Sequence, residues 1–472
     1  MSLKNSKVID TVLVGTGIAG LNFIDKFLEK KKIIHVISPD TNSVILKDIK
    51  NNIKFLPSQM RLEHKKVNDY YFANSLELKR NCNAIGSLNF GGLSNYWGLQ
   101  IDSYIKNNQR ELKKKTCHEI RNYFIEFLKR FRLVGSLQIK DKHFYSNDYS
   151  IPSQFNRLKK NKENLICRKP ILAFSTPKTF KGNLNKINEN KQKLTAGNLF
   201  KKMKNKNKIK IHDYYLDKIS KKEGVFELFC KKNKKIKIFL AKKIVFASGT
   251  IATTKILMDY LNVKKEVKIK HHPRLCSVYL SKEKLDFNLN FAPSLFQIMN
   301  NSSKAYFTAD LRPGNKLISK SITDAFPLLK PFEFLINVFR KRLIFSNFLL
   351  DSKFSNLYLK KNKKKFELFS KNYSLEKILR KKSMEIFRFL FKKGIILPFY
   401  KTFFPGNGGD YHYFGTVPFR KKGKLAVNNN CQLLSSKNIY VIDGSVFDFR
   451  INKYPLGIVA ANARRIAKKM SK

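Results

Sequence analysis

Val8-Ile9-Asp10-Thr11-Val12-Leu13-Val14-Gly15-Thr16-Gly17-Ile18-Ala19-Gly20 decides how the rest of the chain is read. The apolar run ending at Val14 reads as a buried parallel strand, and a GxGxxG turn follows at once. Gly15 allows the tight turn, Gly17 lets the backbone approach a pyrophosphate, and Gly20, beside the small Ala19, lets the next helix pack closely on the strand. That helix, with Leu21, Ile24 and Leu28 on one face, points its positive end at the phosphate position. Ile33–Ile37 then reads as the next parallel strand. The unit is therefore a dinucleotide-binding candidate. A carboxylate closing the second strand would accept both ribose hydroxyls. That position falls near Ser38, and the nearest carboxylate is Asp40, read either as the ribose ligand or as a loop aspartate that starts a turn.

Working outward, Ile209–Tyr215, Val225–Cys230, Ile236–Leu240 and Ile244–Phe246 read as successive strands, as in a meander inserted into a nucleotide-binding domain. Residues 271–405 are less regular, aromatic and basic. The chain returns to a strand at Ile439–Ile442. It closes with a helix carrying Leu456, Val459, Ala463, Ile466 and Met470 on one face, and Pro455 in its first turn.

Four further segments carry chemistry. Gly91-Gly92-Leu93-Ser94-Asn95-Tyr96-Trp97-Gly98 joins paired glycines, for close backbone approach, to the hydrogen-bonding side chains of Ser94 and Asn95. Lys243–Leu257 runs from a strand through the small residues Ala247, Ser248 and Gly249 into a helix. Tyr411-His412-Tyr413-Phe414-Gly415-Thr416 holds a histidine suited to proton transfer. Asn438–Phe447 ends a strand at Asp443-Gly444.

Together these segments resemble the glucose-methanol-choline (GMC) family of FAD-dependent oxidoreductases. Asn438–Phe447 is similar to that family's NLYVVDGSVFP signature, His412 stands in its HxxGT motif, and His272-Pro273 resembles its DHP. The resemblance implies FAD contacts at Gly15, Gly17, Ala19, Gly20, Asp40, Gly91, Gly92, Ser94, Asn95, Trp97, Ala247, Gly249, Asp443, Gly444 and Pro455. It implies His412 as the base that takes an alcohol proton. Tyr96 stands where some relatives carry a flavin-linking histidine, so FAD is expected to be non-covalent. Tyr454 stands where the family has a second His or Asn, and is expected to hydrogen-bond the substrate oxygen. The cofactor segments cover about two-fifths of the chain, and roughly 271–404 is unmatched.

The implied fold is α/β, with a Rossmann-like FAD domain assembled from 1–100, 196–270 and 430–472. A connecting or lid region spans 101–195, and an inserted α+β substrate domain spans 271–429. The implied activity is oxidation of a CH–OH group in an alcohol, sugar or lipid-linked saccharide. Two rivals stand beside it. One is a flavin-fold binding protein that has lost its chemistry and associates with a membrane or a glycan, which the Tyr454 departure favours slightly. The other is an NAD(P)H-using flavoprotein, against which only one dinucleotide fingerprint is found.

Composition bounds the remainder. The chain has 472 residues, enough for two domains, and 43% are hydrophobic, which excludes global disorder. Six scattered cysteines without a CxxC pair argue against zinc or a disulfide framework and suit the cytoplasm. No signal peptide or membrane-spanning stretch is expected. The formal charge is +61, with 18 arginines among 95 basic residues. That lysine excess reads either as A/T-rich codon bias or as attraction to an anionic surface. No recognised nucleic-acid-binding pattern is present. Phe332–Leu350 and Ile386–Phe404 mix aromatic, aliphatic and basic residues. They read either as segments lying peripherally on an anionic membrane or as core helices of the substrate domain.

Overall fold

The computed structural model describes residues 7–39, 71–72, 76–95, 99–101, 112–135, 149–159, 165–177, 180–232, 235–285, 287, 293–300, 307–315, 323, 327–363, 365–371, 374–449 and 455–472. The fold is α/β. Its organising element is a seven-stranded sheet. Ile9–Val14 lies between Ile34–Ile37 and Lys235–Phe246, parallel to both, and Ile209–His212 adds in parallel beyond Ile34–Ile37. Val12 and Leu13 are wholly buried because helices cover the sheet, which is why this stretch is apolar without alternation.

Lys235–Phe246 is one long strand rather than the two expected from sequence. Its first half pairs antiparallel with Val225–Lys232, and its second half pairs parallel with Ile9–Val14. Where Val225–Lys232 stops, Ile439–Val441 takes over the same edge through Ile244, Val245 and Phe246. The meander is therefore Tyr215–Lys222, Val225–Lys232 and Lys235–Phe246, whereas Ile209–His212 belongs to the parallel part.

The helices Ile18–Phe27, Lys114–Phe131 and Leu456–Met470 pack as neighbours. Arg464 is buried among them and donates to Asp25 at 2.7 Å and to Glu126 at 2.7 Å. The two carboxylates compensate a guanidinium that would otherwise be a buried unpaired charge.

A six-stranded sheet runs in the order Ile396–Phe403, Arg274–Ser281, Leu343–Leu350, Phe307–Pro313, Phe296–Asn300, Leu165–Arg168, antiparallel throughout. Its two faces follow the period-2 pattern. Leu275, Tyr279, Ile344, Phe348 and Leu311 join a core that includes Leu379, Ile386 and Leu390 of the helix Leu375–Lys392. Alternate positions, Arg274, Asn347, Leu349 and Arg312, face a cleft. The stretch Phe332–Leu350 thus divides. Leu343–Leu350 is a fully buried strand, not a helix, and none of the residues before it from Phe332 on is buried.

Candidate functional site

The cleft lies between the two sheets and encloses about 1730 Å³ including its open mouth. Its wall brings together Gly15, Gly17 and Ala19 from the first turn, Gly91, Gly92 and Ser94, Ala247 and Gly249, Asp443 and Gly444, Pro455 and His412. Gly20 and Asn95 are not wall residues. Asp40, Trp97 and Tyr454, with Tyr96, lie outside the described residues.

Each glycine has a separate reason. Gly15 has φ +98°, and a Cβ there would stand 2.6 Å from the Ala247 carbonyl oxygen. A Cβ on Gly20 would collide with the Gly15 carbonyl, so Gly20 serves helix packing and turns away from the cleft. Gly17 is different. A Cβ there would make only ordinary contact, 3.9 Å from the Ala247 and Gly91 carbonyl oxygens, and one on Gly249 would meet nothing within 4 Å. These are positions where a ligand can approach bare backbone.

Thr16 ties the turn to two other segments. Its hydroxyl is 2.8 Å from Ser38 Oγ and accepts from the Gly91 N–H at 3.0 Å. The end of the second strand therefore presents Ser38, buried in the cleft wall. Ser94 and Asn95 do not reach outward as expected. Ser94 donates to the Gly91 carbonyl at 2.5 Å and Asn95 to the Phe90 carbonyl at 2.7 Å, bracing the glycine turn itself.

Asp443 is also a brace. Its carboxylate accepts from the Gly249 N–H (3.1 Å), Thr253 Oγ1 (2.6 Å), the Ser445 N–H (3.0 Å) and Ser445 Oγ (2.5 Å). These four donors occupy the lone pairs expected to meet a cofactor hydroxyl, and they join the 248–253 turn to the last strand. Burial pushes the carboxyl up from its usual value against those donors. Gly444 lets the Tyr413 backbone pass close by, since a Cβ there would stand 2.9 Å from the Tyr413 carbonyl oxygen.

His412 sits at the end of a strained turn. Tyr411 has φ +66°, a left-handed conformation unusual for an aromatic residue. Buried Asp410 holds the turn by accepting from the His412 N–H at 3.0 Å, while its other oxygen is 2.5 Å from His271 Nδ1. His271 Nε2 in turn meets Asn356. Burial pushes the Asp410 carboxyl up, but His271 and the His412 N–H outweigh it and hold the group below its ordinary value. The His412 ring stands edge-on to His272, with centroids 5.6 Å apart. Burial first, and His272 second, push His412 down to about 3. The near-neutral value expected from sequence is therefore not found: the ring is neutral at physiological pH, but it holds a proton less strongly than an ordinary histidine. Burial also pushes His272 down to about 4, and its Nε2–H donates to the Phe449 carbonyl at 2.9 Å.

Sequence reasoning missed three cleft groups. Gln100 is buried in the wall, and neither atom of its amide has a hydrogen-bond partner among the described residues. Arg274 is buried against the Tyr411 ring, 5.1 Å from its centroid, with Nε and Nη2 unpartnered among the described residues. Arg312 is paired with Asp310 through two bonds to one carboxylate oxygen. The available signal for Arg274 was a charge on the otherwise apolar parity Cys276, Val278 and Leu280, and for Arg312 the polar parity it shares with Thr308 and Asp310.

Neither a scan of protein-family models nor a search of curated proteins returns a match for this chain.

Proposed function

We propose that this protein is an FAD-dependent oxidoreductase acting on a CH–OH group, with FAD held non-covalently in the cleft by a Rossmann-like domain. The observation that carries the reading is convergence. The 15–20 turn, the 91–94 turn, the 247–249 turn, Asp443-Gly444 and His412 come from distant parts of the chain and line one cleft. The walls suit such a cofactor. Gly17 and Gly249 leave bare backbone for close approach, and among the described residues the Gln100 amide lacks a partner, which a bound polar ring or ribityl chain would supply.

FAD, when bound, accepts the hydride from the alcohol carbon. The chain's own part is to orient the alcohol and to take its hydroxyl proton on a ring nitrogen of His412, so that C–H and O–H break and C=O forms. Asp410 fixes the backbone that carries His412. The positive charge of Arg274 in the same wall favours the negative charge that develops on the oxygen as its proton leaves.

Two expected outcomes test the cofactor. The purified protein is yellow, and acid precipitation releases intact FAD into the supernatant. Flavin retained in the pellet would refute non-covalent binding, and a colourless protein that cannot be reconstituted would overturn the reading. Gly17→Ala should bind flavin more weakly yet unfold at the same temperature as the apo parent, because its Cβ meets no protein atom closer than 3.9 Å. Anaerobic bleaching of the flavin by sugars, polyols, sterols and aliphatic alcohols then identifies the donor. A flavin that no alcohol reduces would leave a binding protein without chemistry.

A further inference from the structure

Between the strands Phe307–Pro313 and Leu343–Leu350 the chain leaves the sheet and returns, pinned at the root by the Gly314 N–H donating to the Leu343 carbonyl at 2.7 Å. The latter part of this arm is a 3-10 turn, Pro327–Phe332, and a helix, Glu333–Phe339, neither of which buries a side chain. Leu328 is 89% exposed, Val338 72% and Phe334 64%. Phe334 and Val338, and likewise Leu335 and Phe339, are four apart and form one apolar stripe. Arg340-Lys341-Arg342 follows directly. An apolar stripe of this kind held in water marks an interaction surface.

The sheet register brings a second exposed aromatic pair to the same end. Leu280 pairs with Leu343 and Ser281 with Ile396, the Lys282 N–H donates to the Ile395 carbonyl at 3.0 Å, and the Leu285 N–H donates to the Lys341 carbonyl at 2.7 Å. Phe391 (46% exposed) and Phe399 (47%) flank that junction, with Lys392 and Lys393 beside them.

We propose that this end of the sheet docks on an anionic lipid bilayer, the arm's apolar stripe entering the headgroup layer and Arg340, Lys341 and Arg342 meeting lipid phosphates. Exposed aromatic and aliphatic side chains bordered by arginine and lysine have the composition of interfacial helices. The net charge of +61 supplies a long-range field of matching sign. Among the described residues no helix is long and apolar enough to cross a membrane. Docking does not rest on the FAD reading. Arg274, in the cleft wall, starts the strand whose far end bears the junction, about 20 Å away at roughly 3.3 Å per residue.

The test is flotation with phosphatidylcholine vesicles, with and without phosphatidylglycerol, at low and high salt. The parent should float only with the anionic vesicles, and less at high salt. The double variant Phe334→Asp, Val338→Asp should lose about tenfold or more of the bound fraction. Its circular dichroism and unfolding temperature should not change, since both side chains are exposed. Failure of the parent to float overturns the proposal. Equal flotation of parent and variant also overturns it, because the lysine field would then carry binding without the arm. A parent that dimerises through the arm and does not float assigns the surface to a second copy and overturns it too.

Discussion

On the proposed FAD chemistry, His412→Ala should lower the rate of anaerobic flavin reduction by about 10²-fold or more while FAD stays bound. The size follows from losing a positioned general base, and retention of FAD follows from the glycine turns, which the substitution does not touch. Stopped-flow bleaching at saturating alcohol measures the first, and absorbance after gel filtration the second. The pH dependence is the sharper check. Because His412 is pushed down to about 3, it stays in its neutral, proton-accepting form from about pH 5 to 8, and the reduction rate should not fall through the 6.5 of an ordinary histidine. A limb near 6.5 would mean a solvated imidazole, contrary to its burial. A variant that reduces flavin as fast as the parent removes His412 as the base. Tyr454→Phe should cost less, about tenfold, as for one orienting hydrogen bond. A phenol with its pKa near 10 is a poor base at neutral pH. If the Tyr454 change proves the more damaging, the two roles are exchanged.

Acidification should destabilise the fold steeply between pH 6.5 and about 4, well before general carboxylate protonation. His272 and His412 have native values pushed down to about 4 and about 3 from 6.5. A depressed histidine binds its proton more readily when unfolded, so its contribution is complete above 6.5 and is lost as pH falls toward the native value. At about pH 5 each of the two should have forfeited roughly 2 kcal/mol. His212, pushed to about 4 by burial and then by His35, is only half-buried and adds less. Asp443 acts in the opposite sense. Burial raises its carboxyl, so the native state takes up that proton more readily than the unfolded chain and gains stability from it at low pH. Urea midpoints at several pH values check the balance. A midpoint unchanged down to about pH 5 would show that the His272–His412 pair is hydrated, and His272→Gln should flatten the acid limb.

Much of the cleft wall was legible because glycine requirements are local. A turn that must adopt φ +98° at Gly15, or leave bare backbone at Gly17 and Gly249, writes itself into the sequence wherever it occurs. The position of His412 on the cleft wall was legible through its neighbours in the motif. The roles of Ser94, Asn95 and Asp443 were not, because a hydrogen-bonding side chain in a glycine-rich turn looks the same whether it reaches a ligand or its own backbone. In the structure all three reach inward.

By itself, then, the sequence determined the strand–glycine turn–helix opening, the α/β alternation and the residues flanking each turn, since these depend on backbone conformation over a few residues. Tertiary structure alone decided the rest. It made Lys235–Phe246 one strand serving two kinds of pairing, and it set Asp410 against His271 from another segment. It also separated Phe332–Phe339 from Leu343–Leu350. Both are apolar and aromatic, yet the second is buried because Arg274–Ser281 and Phe307–Pro313 flank it, and the first is exposed because no strand pairs with it among the described residues. Burial is conferred by neighbours distant in the chain, and composition cannot say which stretch will find them.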